Sequence, residues 1–380
     1  MDFTLDDVQR ELRDLARKIL DERITTERLK ELEAAGAPYD ERCWADLAAT
    51  NLLGVALPED VGGSGYGLME LCVLLEEVGR HVAPVPLLAT VGAAALPIAE
   101  LGSAELRARL LPPVVEGRSL LTAALQEPGH ADPLAPTTLA KRDGNGWRLE
   151  GEKLGVPYAP LADAILVPAS TGDGDTGEAR AAVFVVTPDA DGLTIESATA
   201  TNGEPQGHVT MTGVRVEDAD VLGDPSAPGA ETVAWVQERA LAGLCATAVG
   251  VFEKALRITA GYISERKQFD RPIATFQGAT LRAADAYIDT EAIRVTAWSA
   301  IWRLAAGRDA SDDLAIAKFW VADGGQRVAH ACQHLHGGIG ATIDYPIHRY
   351  FTWAKALEHS LGGAPEHLLR LGDSLAAGRI

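Results

Sequence analysis

The spacing of apolar residues changes twice along this chain, and that change limits its possible folds more than any other feature. From residue 1 to about 120 the apolar positions recur at helical spacing, with Val8, Leu12, Leu15 and Ile19 predicted to form one stripe. Thr4, followed by Asp7, stands where an N-cap is wanted. The runs "LMELCVLLEEVGR" and "SAELRARLLPPVVEG" predict further helices. Between them, "PEDVGGSGYG" and "HVAPVPLL" carry the Gly and Pro punctuation of loops.

From roughly residue 120 to 225 the pattern becomes short β-prone runs: "LLTAAL", "WRLEGEK", "AILVPA", "AAVFVVTP" and "HVTMTGVRV". Turn clusters such as "RDGNG" and "STGDGDTGEA" separate them. In "RDGNGW" the Asp-Gly-Asn-Gly sequence supplies residues that tolerate positive φ, which predicts a hairpin. After about residue 228 helical spacing returns in three long Ala-rich runs, 231–266, 275–307 and 313–338. Small residues on their faces predict close antiparallel packing into a bundle. The expected fold is therefore α+β, with an N-terminal helical domain (1–119), a middle antiparallel β domain (120–226) and a C-terminal bundle of four-helix type (227–380).

Composition narrows the partners. Lys and Arg number 34 against 54 Asp and Glu, a net charge of −20, so neither nucleic acid nor an anionic membrane finds the basic footprint it needs. An anionic ligand must instead be held locally, by a few placed cations or backbone amides. Cys43, Cys72, Cys245 and Cys332 lie in apolar, helical sequence with no metal-ligand spacing, and are expected to be reduced thiols in helix packing with no metal site. The first twenty residues are amphipathic and acidic, not a signal peptide, and no apolar run reaches membrane-spanning length. The chain is expected to be cytoplasmic.

One segment interrupts the helical rhythm without an obvious structural need. "SERKQFDRPIATFQG" (264–278) sets Glu265, Arg266, Lys267, Asp270 and Arg271 around Phe269 and Phe276, with Pro272 as helix breaker. Its charges alone would suit a solvated turn. The two aromatics do not, and an arginine fork is well matched to paired hydrogen bonds with a pyrophosphate. A second segment, "HLHGGIG" (334–340), offers glycines that let a backbone approach a phosphate closely, although Gly-Gly-x-Gly by itself also fits any tight helix end.

Together these segments resemble the acyl-CoA dehydrogenase family, and the resemblance covers nearly the whole chain. It is carried by "PEDVGGSGYG" with "LLEEVGR", "LQEP", "HVTMTGVRV", "ERKQFDRPIATFQ" and "HLHGGIG…YPIHRYFTWAK", in that order and spacing. The resemblance implies FAD as cofactor, bound across a subunit boundary. It carries cofactor contacts onto Arg266, Gln268, Phe269, Gln277, His334, Gly337 and Gly338. Gln is usual at the position of His334, and Gln333 stands one place earlier.

The implied reaction is α,β-desaturation of an acyl-CoA thioester, in which a carboxylate removes the α-proton. Many members carry that glutamate near the C-terminus, where this chain reads "HSLGGAPEH" with Leu361 and Gly362 at the place. Other members carry it on the first helix of the C-terminal bundle, just before an Arg, which points to Glu238 before Arg239. The helical neighbours Ala234, Trp235, Leu241 and Ala242 include no cation, so apolar surroundings are expected to raise the Glu238 pKa. Glu358 and Glu366 are poorer candidates, and a solvent-facing Glu238 at a helix start remains the plain alternative.

Two departures lie in the β domain. The family's Thr-Glu-Pro-x-x-Gly-Ser reads "QEPGHAD", which keeps Glu127 and Pro128 but loses the hydroxyls. Its flavin-covering Trp-x-Thr falls on "GEKLGVPYA", where Gly155 replaces Trp and Pro157, without a donor of either kind, replaces Thr. Such departures resemble the actinobacterial members, acting on steroid side chains, that assemble as heterotetramers of two unlike chains. The resemblance thus implies a homo- or hetero-oligomer (dimer of dimers) with a related subunit, and electron-transfer flavoprotein as acceptor. A non-catalytic partner or scaffold subunit and an acyl-CoA oxidase stay open as alternatives.

Overall fold

The computed structural model describes residues 4–129, 132, 134–171, 180–224 and 229–379. Residues 172–179 of the turn cluster, and His130 and Ala131 of "QEPGHAD", lie outside the described residues. Helices α1 (Asp7–Arg23), α2 (Thr26–Ala35), α3 (Glu41–Ala49), α4 (Leu68–His81), α5 (Leu96–Leu101) and α6 (Ala104–Val115) come first. The strands are β1 (Leu121–Ala123), β2 (Leu139–Asp143), β3 (Gly146–Pro157), β4 (Ala164–Ser170), β5 (Ala181–Val186), β6 (Leu193–Thr199), β7 (Pro205–Glu217) and β8 (Val221–Leu222). Helices α7 (Ala230–Glu265), α8 (Gln277–Ala305), α9 (Ser311–Phe319), α10 (Gly325–His336), α11 (Ile347–His359) and α12 (Ala364–Ala376) follow. Helical N- and C-terminal parts therefore flank a β-rich middle, as the periodicity predicts.

The chain gathers into two compact units, one of Met1–Cys43, Leu68–Val85 and Leu241–Ile380, the other of Trp44–Gly67 and Pro86–Ala240. In the first, α1 packs on α4 with a register that differs from expectation. Asp6, not Thr4, caps the helix, its carboxylate accepting from Gln9 N while Gln9 closes a capping box. Val8 and Leu15 are 38% and 37% exposed, and Ala16 and Leu20 are buried instead. The cause lies on α4. Its Glu70 accepts from Gln9 Nε2 at 2.9 Å, and its buried Glu77 takes both arms of Arg17 at 2.6 and 3.0 Å. A buried carboxylate needs a partner more than a valine needs cover, so the polar arms set the rotation.

Helices α4 and α7 meet through two glycines. A Cβ on Gly79 would lie 1.9 Å from the Thr247 carbonyl oxygen, and one on Gly250 1.9 Å from that of Glu76. Backbones this close admit no side chain, which realises the small-residue packing read from the sequence. The run 313–338 is not one helix: a π turn at Trp320–Gly324 divides α9 from α10.

In the second unit an eight-stranded sheet runs in the order β6-β7-β3-β2-β4-β5-β8, with β1 added to β4. Most pairings are antiparallel, but β1–β4 and β2–β4 are parallel, a departure from the all-antiparallel expectation. β2 and β3 form the predicted hairpin, Asp143 opposite Gly146 with Gly144 at φ 65°. Trp147 and Phe184 meet edge-on at 5.5 Å in its core. The polar strands β2 and β6 carried too little β-prone sequence to be seen beforehand.

Candidate functional site

The elbow after α7 is a two-residue hairpin. β9 (Lys267–Gln268) pairs antiparallel with β10 (Arg271–Pro272), and the turn residues Phe269 and Asp270 take φ of 51° and 65°. Two consecutive left-handed residues are the geometry that favours Asn-Gly, and a phenylalanine there is strained. The Phe269 side chain is nonetheless 87% exposed. Its ring meets Phe276 edge-on at 6.2 Å, and the Arg271 guanidinium lies 4.1 Å over Phe276. Arg266 is held through its backbone, donating to Tyr262 O at 2.8 Å and accepting from Ile273 N at 2.9 Å. Its guanidinium is exposed and has no partner among the described residues. Gln268 and Gln277 are exposed on the same segment.

The glycine segment begins where α10 ends, with Gly337 at φ 61°. Nothing lies within 4 Å of where a Cβ on Gly337 or Gly338 would stand, so this backbone faces open space. His334 is exposed beside it. The link to the elbow is a ring stack that sequence reasoning missed. Tyr262, one turn before Arg266, stacks on the buried His336 at 4.6 Å, and Tyr345 closes on the same imidazole at 5.0 Å. The stack ties the Arg266 end of α7 to the residue before Gly337. Burial pushes the His336 pKa down, only partly offset by the Nδ1 contact with Cys332 O at 2.8 Å. His336 Nε2 and Gln333 Oε1 are buried without a partner. An unpaired cation and an open glycine backbone fit the phosphate end of a dinucleotide, whereas the two orphaned atoms are acceptors and call for a donor instead.

The ring end is different. Glu127 accepts from Lys153 Nζ at 2.7 Å, from Thr137 N at 2.6 Å and Oγ1 at 2.8 Å, and from Thr138 N at 3.0 Å. Burial works against its charge, but these donors, Lys153 first, outweigh it and hold the carboxyl at about 2. Lys153 also donates to Pro168 O at 2.6 Å, so the retained Glu127 is a clasp inside the sheet. Gly155, at φ 56°, sits in a bulge of β3. Gln206 Oε1 stands 3.4 Å from where a Cβ on Gly155 would be, and Gln206 Nε2 donates to Glu204 at 3.3 Å. Burial, little relieved by that bond, pushes the Glu204 carboxyl up to about 7. The Gln206 carboxamide, backed by the Glu204 carboxyl group, thus stands beside Gly155.

Glu238 lies on the first turns of α7, where the expected apolar isolation does not hold. Arg239 Nη1 donates to Glu238 Oε2 at 2.9 Å, and the Arg239 guanidinium rests 4.0 Å over the Trp235 ring. Adjacent residues do not ordinarily face each other on a helix, so spacing alone does not bring this cation to Glu238. Trp235 lies one turn back from Arg239 and gives the long arm a seat from which it reaches sideways. The loop 360–363, where other members carry the base, is filled by backbone. Leu361 and Gly362 take φ of 57° and 94°, and the buried Lys318 donates to Glu358 O at 3.0 Å and Gly362 O at 2.6 Å.

Three family models match almost end to end: the acyl-CoA dehydrogenase N-terminal domain over residues 6–118, the middle domain over 122–214 and the C-terminal domain over 231–372. The chain belongs to the acyl-CoA dehydrogenase family. Acyl-CoA dehydrogenase FadE27 of Mycobacterium tuberculosis is 38% identical over 99% of both chains. FadE28 of the same organism is 42% identical over 86% of this chain and 90% of its own. Among solved structures, a variant of the Tcur3481-Tcur3483 steroid ACAD is similar with a TM-score of 0.91 and 45% identity over 99% of both chains. The ChsE4-ChsE5 complex from Mycobacterium tuberculosis is similar with a TM-score of 0.91 and 38% identity, again over 99% of both. No helix among the described residues is long and apolar enough to cross a membrane, and no group of His, Cys, Asp or Glu among them could hold a metal ion.

Proposed function

We propose that this acyl-CoA dehydrogenase chain is one subunit of an FAD-dependent enzyme that desaturates an acyl-CoA thioester, with the cofactor shared across the interface with a related chain. The carrying observation is the elbow: an unpaired Arg266 beside an exposed Phe269 on a strained turn, tied by Tyr262 and His336 to an open glycine backbone. Arg266, Gln268, Phe269 and Gln277, with His334 and the Gly337 and Gly338 amides, would hold the dinucleotide end. Bound FAD supplies the acceptor for a hydride from the β-carbon. Glu238 would take the α-proton. Steroid-acting relatives support a bulky acyl group, and an electron-transfer flavoprotein in the cytoplasm completes the reading. We place the domain boundaries at 119/120 and 226/227.

Co-expression with candidate related chains, followed by bound FAD per chain, tests this. Arg266→Ala is expected to lower FAD affinity ~30-fold or more, the worth of a charge-assisted pair of hydrogen bonds. Flavin content unchanged by that substitution would reject the reading. Gln206 over Gly155, and Pro157, favour a second reading, in which this chain only completes its partner's cofactor site. Glu238→Gln decides between them: turnover lost supports the first, turnover intact the second.

A further inference from the structure

The Glu238–Arg239–Trp235 group does more than correct an expectation about helix neighbours. Arg239 is only 14% exposed at its side chain, against 27% for Glu238, so the ion pair is partly withdrawn from water. Burial lowers the Arg239 pKa, and the carboxylates of Glu238 and then Glu100, from α5, act in the opposite direction. A guanidinium still stays charged throughout the physiological range. Its position is fixed from two sides, by the Trp235 face beneath it and by the Glu238 carboxylate it donates to. An ordinary exposed ion pair lacks such a platform and is worth little. Here the stacked ring removes much of the freedom that pairing would otherwise cost.

We infer that Arg239 is a positioning residue for the α-proton base: seated on Trp235, it holds the Glu238 carboxylate ionised and aimed before the acyl-CoA arrives. This rests on the reading of Glu238 as the base. A carboxylate acts as a base only when ionised, and a neighbouring cation favours that form, so the pair sets the lower end of the pH range in which the α-proton can be removed. The mechanism differs from the apolar isolation that usually tunes such a base. It extends activity toward acid and sacrifices some basicity.

The test reads the proton step itself. The assembled protein is incubated with octanoyl-CoA, a branched and a polycyclic acyl-CoA thioester in D₂O, and deuterium gained at the α-carbon is followed by mass spectrometry from pH 5 to 9. Arg239→Gln is expected to move the midpoint of exchange up by about one unit, the loss growing toward ~10-fold at the acid end of the range and staying smaller at the pH 9 plateau, where only the lost aim is felt. Arg239→Lys should keep most of the midpoint, and Trp235→Leu should shift it part-way toward that of Arg239→Gln. A purely structural role for Arg239 would lower the plateau and leave the midpoint in place, which overturns the inference. If Glu238→Gln exchanges as the parent does, or the parent does not exchange, the base reading falls and this inference with it. If Glu238→Gln is dead and the Arg239→Gln midpoint is unmoved, only this inference falls.

Discussion

At Phe269 the chain accepts strain in order to keep a ring in view. Its φ of 51° is a conformation that glycine adopts freely and a bulky side chain does not, and its side chain buries almost nothing within the chain. A sequence shaped for the stability of the isolated chain would place glycine there. Phe269→Gly is accordingly expected to stabilise the isolated chain by about 1 kcal/mol, read as a higher urea midpoint, and to weaken flavin retention in the assembly. Stability gained with flavin binding untouched would show that the ring serves nothing. Arg266, Phe269 and the glycines were legible in the sequence because each is chemically odd for a plain turn. Tyr262 and His336 were not, since their stack joins residues far apart in sequence and both look like ordinary helix residues. The gap at Gly155 could be read from the motif, but Gln206 standing over it could not, because it arrives from another strand.

Elements tell a similar story at larger scale. Existence and type of the long helices followed from periodicity, while the facing of α1 did not, because Glu70 and Glu77 of α4 choose which arms turn inward. The glycines of α7 show how closely element packing is set. Gly250 faces the Glu76 carbonyl, whereas Gly261, four residues from the end of the same helix, has nothing within 4 Å. Gly250→Ala is expected to force α4 and α7 apart at a cost of about 3 kcal/mol or more. Gly261→Ala should instead stabilise the helix by roughly 0.5–1 kcal/mol. Chemical denaturation of the two variants checks both signs, and equal effects would remove the close-approach argument.

For the whole molecule, the −20 charge is carried partly by carboxylates that folding holds ionised. Burial opposes the charge of Glu127, but Lys153 and the Thr137 and Thr138 donors bring it to about 2. Burial likewise opposes that of Glu253, and Arg80 and Arg294 bring it to about 2. A carboxyl whose folded pKa is depressed adds stability above its unfolded value and loses it as pH falls through the folded value. Each of these is worth about 3 kcal/mol by that linkage, present at neutral pH and lost between about 4.5 and 2. Glu204 runs the other way. Its carboxyl, raised to about 7 by burial, binds a proton more tightly in the folded state, so it weakens the fold above pH 7 and stops doing so toward pH 4.5. The urea midpoint should therefore rise modestly from pH 8 to 5 and fall steeply below 4.5. Glu204→Gln is expected to flatten the rise alone. Glu127→Gln and Glu253→Gln should each lower stability at pH 7, by leaving Lys153 or Arg80 and Arg294 under-paired, and shallow the acid limb. An acid limb of the same depth in both variants would mean that other carboxylates carry it.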